Sequence, residues 1–379
     1  MIHRIFASYR KPIYDRLAEK YNYVLLHGMN DTSIHQSETK YSKPIKGFQY
    51  TKNPTNLFFQ SFTPLFKFKP KVVIHEFAIG MASLVPMYLC SKIIGAKFIL
   101  YSHGYNRLSG FNPTKSLSDK YRILLMKLAD AVVIYSNTDK RMLSQYADGR
   151  KIFVAQNTLD MTKLLNIKSD LDTLGKEALK QRLGFIYRYN LIFIGRLLEE
   201  KMPEKVLEVF DILNAALPNQ IGVHFVGGGD KAKLESIVVK HGWQGSVKFY
   251  GSVYEDQKAG EFLFASDLMI MPGYLGLAVN HAFAFDCPVV SFKQTKTGPF
   301  HSPEIEYVVQ NETGFLIPNL SVTLMAEKIL EYLQDDAMQT VIKNNIKRRT
   351  EELTPEKMVL GFTDAVSYAL NPKFLSPKS

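Results

Sequence analysis

The stretch MPGYLGLAVNHAFAFDCPVVSF, Met271 to Phe292, decides the fold. It reads as the end of a strand, a turn carrying Gly273 and Gly276, a short apolar helix, and a second strand opening at Cys287. A buried strand, helix and strand in that order is one turn of a parallel α/β sheet. A glycine turn leading into a helix also brings backbone amides close to an anion such as a phosphate.

The same alternation continues on either side. NLIFIGRL, IGVHFVGGG, SVKFYGSV, DLMIMPG and CPVVSF read as strands, separated by the helical patterns PEKVLEVFDILNAAL, KAKLESIVVKHG and LAVNHAFAFD. Nearer the amino terminus, YNYVLLHG, KVVIHEF, AKFILYSHG, DAVVIYS and KIFVAQN form a second series, with helical runs such as LSDKYRILLMKLA between them. A polar interval from about Asp160 to Arg188, reading as linker plus a charged helix, separates the two series. The expected organisation is therefore a doubly wound domain over residues 1–165, a linker over 166–187 and a second such domain over 188–352. A final helix over 353–379 is expected to return towards the first domain, with Thr354 and Pro355 as its start.

A length of 379 residues exceeds one ordinary core, and 46% apolar against 22% charged residues describes a globular chain. Cys90 and Cys287 form no CxxC, which excludes a disulfide framework or a cysteine zinc site and suits a reducing compartment. The amino terminus carries no apolar core of signal-peptide length, which points away from secretion. The apolar tract Val72–Leu100 contains His75, Glu76, Lys92 and Lys97, so it reads as strand, helix and strand and not as a membrane span.

The net charge of +11 is uneven: residues 1–160 hold 23 Lys and Arg against 10 Asp and Glu, and the remainder 24 against 26. A first half at +13 suits an anionic partner, either a membrane surface or a lipid diphosphate, or it is a solubilising surface. The basic excess is not built into any recognisable nucleic-acid module, so no nucleic-acid partner is expected.

Three loops carry candidate chemistry. FIGRLLEEKMPEK places Gly195, Arg196 and Lys201 between a strand and a helix, where a guanidinium fork, an ammonium and helix-start amides can hold a diphosphate. The same residues also fit a solvated loop paired with Glu199, Glu200 or Glu204. FVGGGDK, with Gly228 at its centre, is either a second ligand-approaching loop or a plain strand-to-helix turn. SHG places His103 at the carboxyl end of a strand, where it can meet a sugar hydroxyl or simply pack.

Taken together, GRL…EK, VGGGD, FYGSV and MPGYLGLAVNHAFAFDCPVV resemble the donor-binding half of the retaining glycosyltransferases of family 4. YSHG, IYS and AQNTLD resemble that family's amino-terminal half and hinge, and the order holds from about Tyr9 to the last helix. The resemblance implies a GT-B fold: two Rossmann-like domains facing each other across a cleft, the acceptor on the first and a nucleotide sugar on the second. It implies that Arg196 and Lys201 neutralise the leaving diphosphate, that His103 lies near the transferred sugar, and that Gly276 and Leu277 present amides to the distal phosphate. It also implies metal-independent chemistry, fixed cations carrying the charge. The DLD at 170–172 imitates a metal motif of another transferase fold but sits in the interval between the domains.

This chain departs from the family pattern at two places. The family shows two glutamates eight residues apart, and the matching positions hold Gly273 and His281. His281 can still bond a ribose hydroxyl. Gly273 offers only backbone; Glu304 and Glu306, in the family's Pro-Glu region after Pro303, either bring one carboxylate to the ribose or donor sugar in its place or are surface glutamates starting a short helix. On the acceptor side, Arg10 and Lys11 are placed for an anionic group, or begin a solvated helix. Phe58, Phe59, Phe62, Phe66 and Phe68, interleaved with Lys67, Lys69 and Lys71, fit either a helical core face or a membrane interface.

The expectation is a retaining hexosyltransferase, cytoplasmic and peripheral at the inner membrane face. It would move sugar from a UDP- or GDP-sugar to a glycan or lipid-linked saccharide in cell-surface polysaccharide synthesis, with no cofactor beyond that co-substrate. Two other classes stand beside it: a non-catalytic nucleotide-sugar-binding partner subunit, motivated by the missing glutamates, and a nucleotide-sugar epimerase on the same fold, which would use cleft carboxylates and water in place of an acceptor.

Overall fold

The structure, a computed structural model, describes residues 1–28, 37–52, 55–105, 107 and 110–372. The chain divides into two compact units, Met1–Leu159 with the chain from Pro355 onward, and Asp160–Thr354.

The first unit contains β1 (Ile2–His3), α1 (Lys11–Lys20), β2 (Leu25–His27), β3 (Ser42–Pro44), β4 (Gly47–Lys52) and β5 (Thr55–Gln60). It continues with α2 (Thr63–Phe68), β6 (Val72–Glu76), α3 (Leu84–Ile93), β7 (Lys97–Ser102), α4 (Leu117–Leu128), β8 (Ala131–Ile134), α5 (Asn137–Leu143) and β9 (Ile152–Val154). Its sheet runs β3-β2-β1-β6-β7-β8-β9 with every pairing parallel, while β4 and β5 form a separate antiparallel hairpin. The central strands β7 and β8 are almost wholly apolar because helices cover both faces. Phe58 and Phe59 lie in β5 and not on a helix, so the helical spacing of the phenylalanines is broken by a turn before α2.

The second unit begins with α6 (Met161–Leu174) and α7 (Lys176–Leu183), followed by β10 (Tyr189–Ile194), α8 (Pro203–Ala216), β11 (Ile221–Val226) and α9 (Ala232–Lys240). Then come β12 (Val247–Phe249), α10 (Asp256–Ala265), β13 (Leu268–Ile270), α11 (Ala278–Ala284), β14 (Val289–Phe292), β15 (Gly314–Ile317), α12 (Val322–Gln334) and α13 (Asp336–Glu352). The all-parallel sheet runs β12-β11-β10-β13-β14-β15.

The interval 166–187, expected as a linker with a charged helix, is packed helix over most of its length. Met161, Leu164, Ile167 and Leu171 recur at helical spacing and are buried, and α6 packs on α10 and α11. The charged residues of the interval occupy the other faces, which is why its composition reads as polar. The last helix, α14 (Pro355–Leu370), packs on β7, β8, β9 and α1 of the first unit, with Phe362 fully buried against Tyr101. No helix among the described residues is long and apolar enough to cross a membrane, and the tract Val72–Leu100 is β6, α3 and most of β7.

In each sheet burial holds a histidine in the neutral form, His75 in the first and His224 in the second. Burial lowers His75 to about 4 and His224 to about 3; His224 also stacks on Phe185 at 3.5 Å and bonds Asn190 and Tyr250. An unfolded histidine protonates near pH 6.5. Protons therefore bind the unfolded chain preferentially below that value, so this contribution is complete above pH 6.5 and is lost as the pH falls towards 3. Denaturation followed by the fluorescence of Trp243, the single tryptophan and a residue of the second unit, should show stability falling by about 1.4 kcal/mol per pH unit between pH 6 and 4 on account of His224. A His224→Gln chain should lose that increment of slope; an unchanged slope would exclude His224 as its source.

Candidate functional site

In the second unit the sheet order reverses between β10 and β13, so the loops leaving their carboxyl ends diverge. Such a switch point is where open α/β sheets bind ligands. The loops after β10, β11 and β13 meet here through backbone. A Cβ on Gly227 would lie 1.9 Å from the carbonyl oxygen of Gly195, and the Leu197 amide donates to the Gly228 carbonyl at 2.8 Å. The glycines of FVGGGDK thus admit the neighbouring loop, with Gly228 itself lying against Ser252.

That seam seats the two cations. The Nζ of Lys201 lies over Gly195, where a Cβ would approach it to 2.5 Å. Burial, and then the charge of Arg196, pull the Lys201 ammonium below its ordinary range. Arg196 is exposed beside it. Two neighbouring positive groups, one desolvated, form a site whose cost an anion would offset.

The turn after β13 is stitched to the same loop. The Gly273 amide donates to the Lys201 carbonyl at 3.1 Å and the Tyr274 amide to the Glu200 carbonyl at 2.7 Å. A Cβ on Gly273 would stand 2.2 Å from the Glu200 oxygen and 2.5 Å from the Lys201 carbonyl carbon. No side chain fits there without displacing backbone. The absence of a carboxylate at 273 is therefore a requirement of this loop packing.

On its other side the turn is tied to the loop before the 3-10 helix Pro303–Tyr307. The Leu275 amide donates to His301 Nδ1 at 3.2 Å, His301 Nε2 donates to the Phe292 carbonyl at 2.8 Å, and the Ser302 amide donates to the Leu275 carbonyl at 2.9 Å. Accepting at one nitrogen and donating at the other fixes a neutral His301 tautomer. Beyond the turn, the amides of Gly276 and Leu277 donate to no protein acceptor among the described residues. Glu304 is fully buried in the tied loop and Glu306 is half-buried.

The structure thus brings together Gly195, Arg196, Lys201, Gly228, Gly273, Gly276 and Leu277, with the segment holding Glu304 and Glu306 fastened alongside. His281 is engaged elsewhere. Its Nε2 meets Asp256 Oδ1 at 3.3 Å, and Asp256 also accepts from Lys163 Nζ at 2.6 Å. The hydrogen bond to His281, and then Lys163, overcome burial to hold the Asp256 carboxyl down to about 2. His281 accordingly joins α11 to α10 and α6. Asp172 of the DLD sequence is paired with Lys168, and among the described residues no three His, Cys, Asp or Glu converge as metal ligands.

In the first unit the sheet reverses between β1 and β6. His3 and Glu76 meet there, Nδ1 to Oε2 at 3.1 Å, and the Arg4 amide donates to the same oxygen at 2.8 Å. Burial would raise Glu76, but His3, the Arg4 amide and nearby His103 together bring it to about 2. His103 is exposed at the end of β7 with its ring against Tyr135 at 4.6 Å. Arg10 turns inward: its guanidinium donates to Tyr135 Oη at 2.9 Å and is only 6% exposed. Lys11 is exposed and paired with Asp15. His301, Glu76 and Asp256 were not singled out from sequence, since each acquires its partner from a distant element.

Residues 176–349 match the family model described as glycosyl transferases group 1. No curated protein sequence matches the chain at a significant level. Solved structures resemble it along most of its length. A glycosyltransferase from Rickettsia africae aligns with a TM-score of 0.70 at 16% identity, over 98% of each chain. Sucrose-phosphate synthase from Thermosynechococcus elongatus aligns at 0.62 and 15% identity, over 96% of this chain and 92% of its own. Anabaena HepE in complex with UDP aligns at 0.60 and 17% identity, over 81% and 80%; its UDP-glucose complex aligns at 0.54 and 18%, over 78% of each chain. The fold is GT-B.

Within this GT-B chain the seam at Gly273 is open to direct test. Gly273→Ala should destabilise the second unit by about 2 kcal/mol or more, because the obstructing atoms are backbone. Gly273→Glu should destabilise it further. A Gly273→Ala chain of unaltered thermal stability, measured by calorimetry, would overturn the packing account.

Proposed function

We propose that the chain is a glycosyltransferase that moves a hexose from a nucleotide diphosphate sugar, a UDP- or GDP-sugar, to a saccharide or lipid-linked saccharide acceptor in cell-surface polysaccharide synthesis. The observation that carries this reading is the Lys201 ammonium, held over Gly195 and lowered by burial and by Arg196, at the switch point of the second sheet, on a loop hydrogen-bonded to the turn that leads into Gly276 and Leu277. Such a set of donors matches a diphosphate leaving group. The UDP and UDP-glucose complexes of the structurally similar HepE support a nucleotide-sugar donor, with UDP as the first candidate.

In this reading Arg196 grips the diphosphate as a fork, Lys201 meets it as a point charge, and the turn amides take the distal phosphate. The fixed cations do the work a divalent metal does elsewhere. The sugar meets backbone at Gly273, and Glu304 or Glu306 supplies any carboxylate contact. Transfer proceeds with retention.

A second reading has its own observation. The obstruction at Gly273 and the engagement of His281 with Asp256 remove two side chains a catalytic donor site of this type uses, which suits a nucleotide-sugar-binding partner subunit. Nucleotide release from a panel of UDP- and GDP-sugars, with and without saccharide acceptors, separates the two. Turnover with one donor is expected, and Arg196→Ala or Lys201→Ala should each reduce kcat/KM by about 100-fold or more. UDP binding without turnover of any donor would instead support the partner subunit.

A further inference from the structure

The first unit carries a cavity of about 740 Å³ at the amino ends of its strands, opposite the end that holds His103 and Glu76. Its walls are Ile2, Leu17, Val24, Leu65, Val73 and Val366, contributed by the sheet, α1, α2 and α14. The volume lies within the range of small-molecule sites, and an apolar space of this size forfeits packing that a hydrocarbon would restore. Its charged side chains are Lys69 and Lys71, both exposed, and no carboxylate lines it; Met1 lines it too, its amino group donating to the Val24 carbonyl at 2.7 Å and lowered by burial to about 5. Phe66 and Phe68 of α2 stand beside them at 43% and 40% exposure.

Lys69 adds an independent observation. It closes α2 in the left-handed conformation, φ 43° and ψ 56°, with its amide donating to the Leu65 carbonyl at 2.9 Å. Glycine fills such positions without strain, and a lysine there is retained against a local cost. That choice places an ammonium at the entrance of an apolar cavity.

We propose that this cavity takes the hydrocarbon chain of an anionic membrane lipid, with the headgroup held by Lys69 and Lys71 and with Phe66 and Phe68 in the interface. Charge complementarity selects the anionic lipid: the cationic entrance lies on a half of the chain carrying +13. Aromatic rings flanking lysines are suited to the headgroup boundary. The site fastens the first unit to a bilayer by the end remote from its His103 face, and it holds whether or not the chain transfers sugar.

The test uses the full chain, with dodecyl phosphate as soluble probe, uncharged dodecyl maltoside as its control, and vesicles with or without phosphatidylglycerol. Dodecyl phosphate should bind at least about tenfold more tightly than dodecyl maltoside, and binding to vesicles should require phosphatidylglycerol. Lys69→Gly with Lys71→Gln should weaken both by about tenfold or more while leaving UDP affinity unchanged and thermal stability equal or higher, since glycine relieves the left-handed residue. Val72→Trp, at the edge of the cavity, should abolish dodecyl phosphate binding. Equal affinity for both amphiphiles, unaltered vesicle binding by the lysine variant, or dimerisation lost in the same variants would overturn the proposal, the last by assigning the face to a second copy.

Discussion

The close approach of three backbone segments at the carboxyl ends of β10, β11 and β13 is the constraint on which the candidate site rests. Gly227 admits the Gly195 carbonyl, and Gly273 admits residues 200 and 201. Both contacts exclude a Cβ, so the segments interlock as main chain. Hydrogen bonds from Gly273 and Tyr274 then fix the loop that carries Lys201. A cation mounted in this way has little freedom left to lose on meeting an anion, and an anion would offset its repulsion with Arg196.

The same packing accounts for what the site lacks. A side chain at 273 would collide with backbone, so the turn after β13 gains rigidity and gives up a carboxylate. Position 281 follows a parallel logic: its imidazole secures Asp256, which also holds Lys163, and so joins three helices of the unit. Support for the turn comes from His301, whose two ring nitrogens bind Leu275 and Phe292.

Cations in the first unit divide by burial. Arg10 is enclosed by Tyr9 and Tyr135 and serves the interior. Lys69 and Lys71 remain exposed at the opposite end of the sheet, where an apolar cavity opens. Net charge alone does not distinguish these roles, because a guanidinium inside a tyrosine cage and an ammonium at a surface count equally in a sum.

Strand and helix order, two α/β units and the cluster around Arg196, Lys201 and Gly276 were legible in the sequence, because apolar runs and glycine turns are local signals. The interval 166–187 was legible as carrying a charged helix but not as packed structure: its buried residues recur only every three or four positions, and solvated charges dominate its composition. Side-chain direction was also beyond reach. Nothing near Arg10 announces Tyr135, and nothing near His281 announces Asp256. Sequence by itself determined which chemical groups follow which strand. Tertiary structure alone decided which of them face a ligand, since the partners of Gly273, Leu275 and His281 lie 25 to 73 residues away and meet them only when parallel strands bring their loops to one edge.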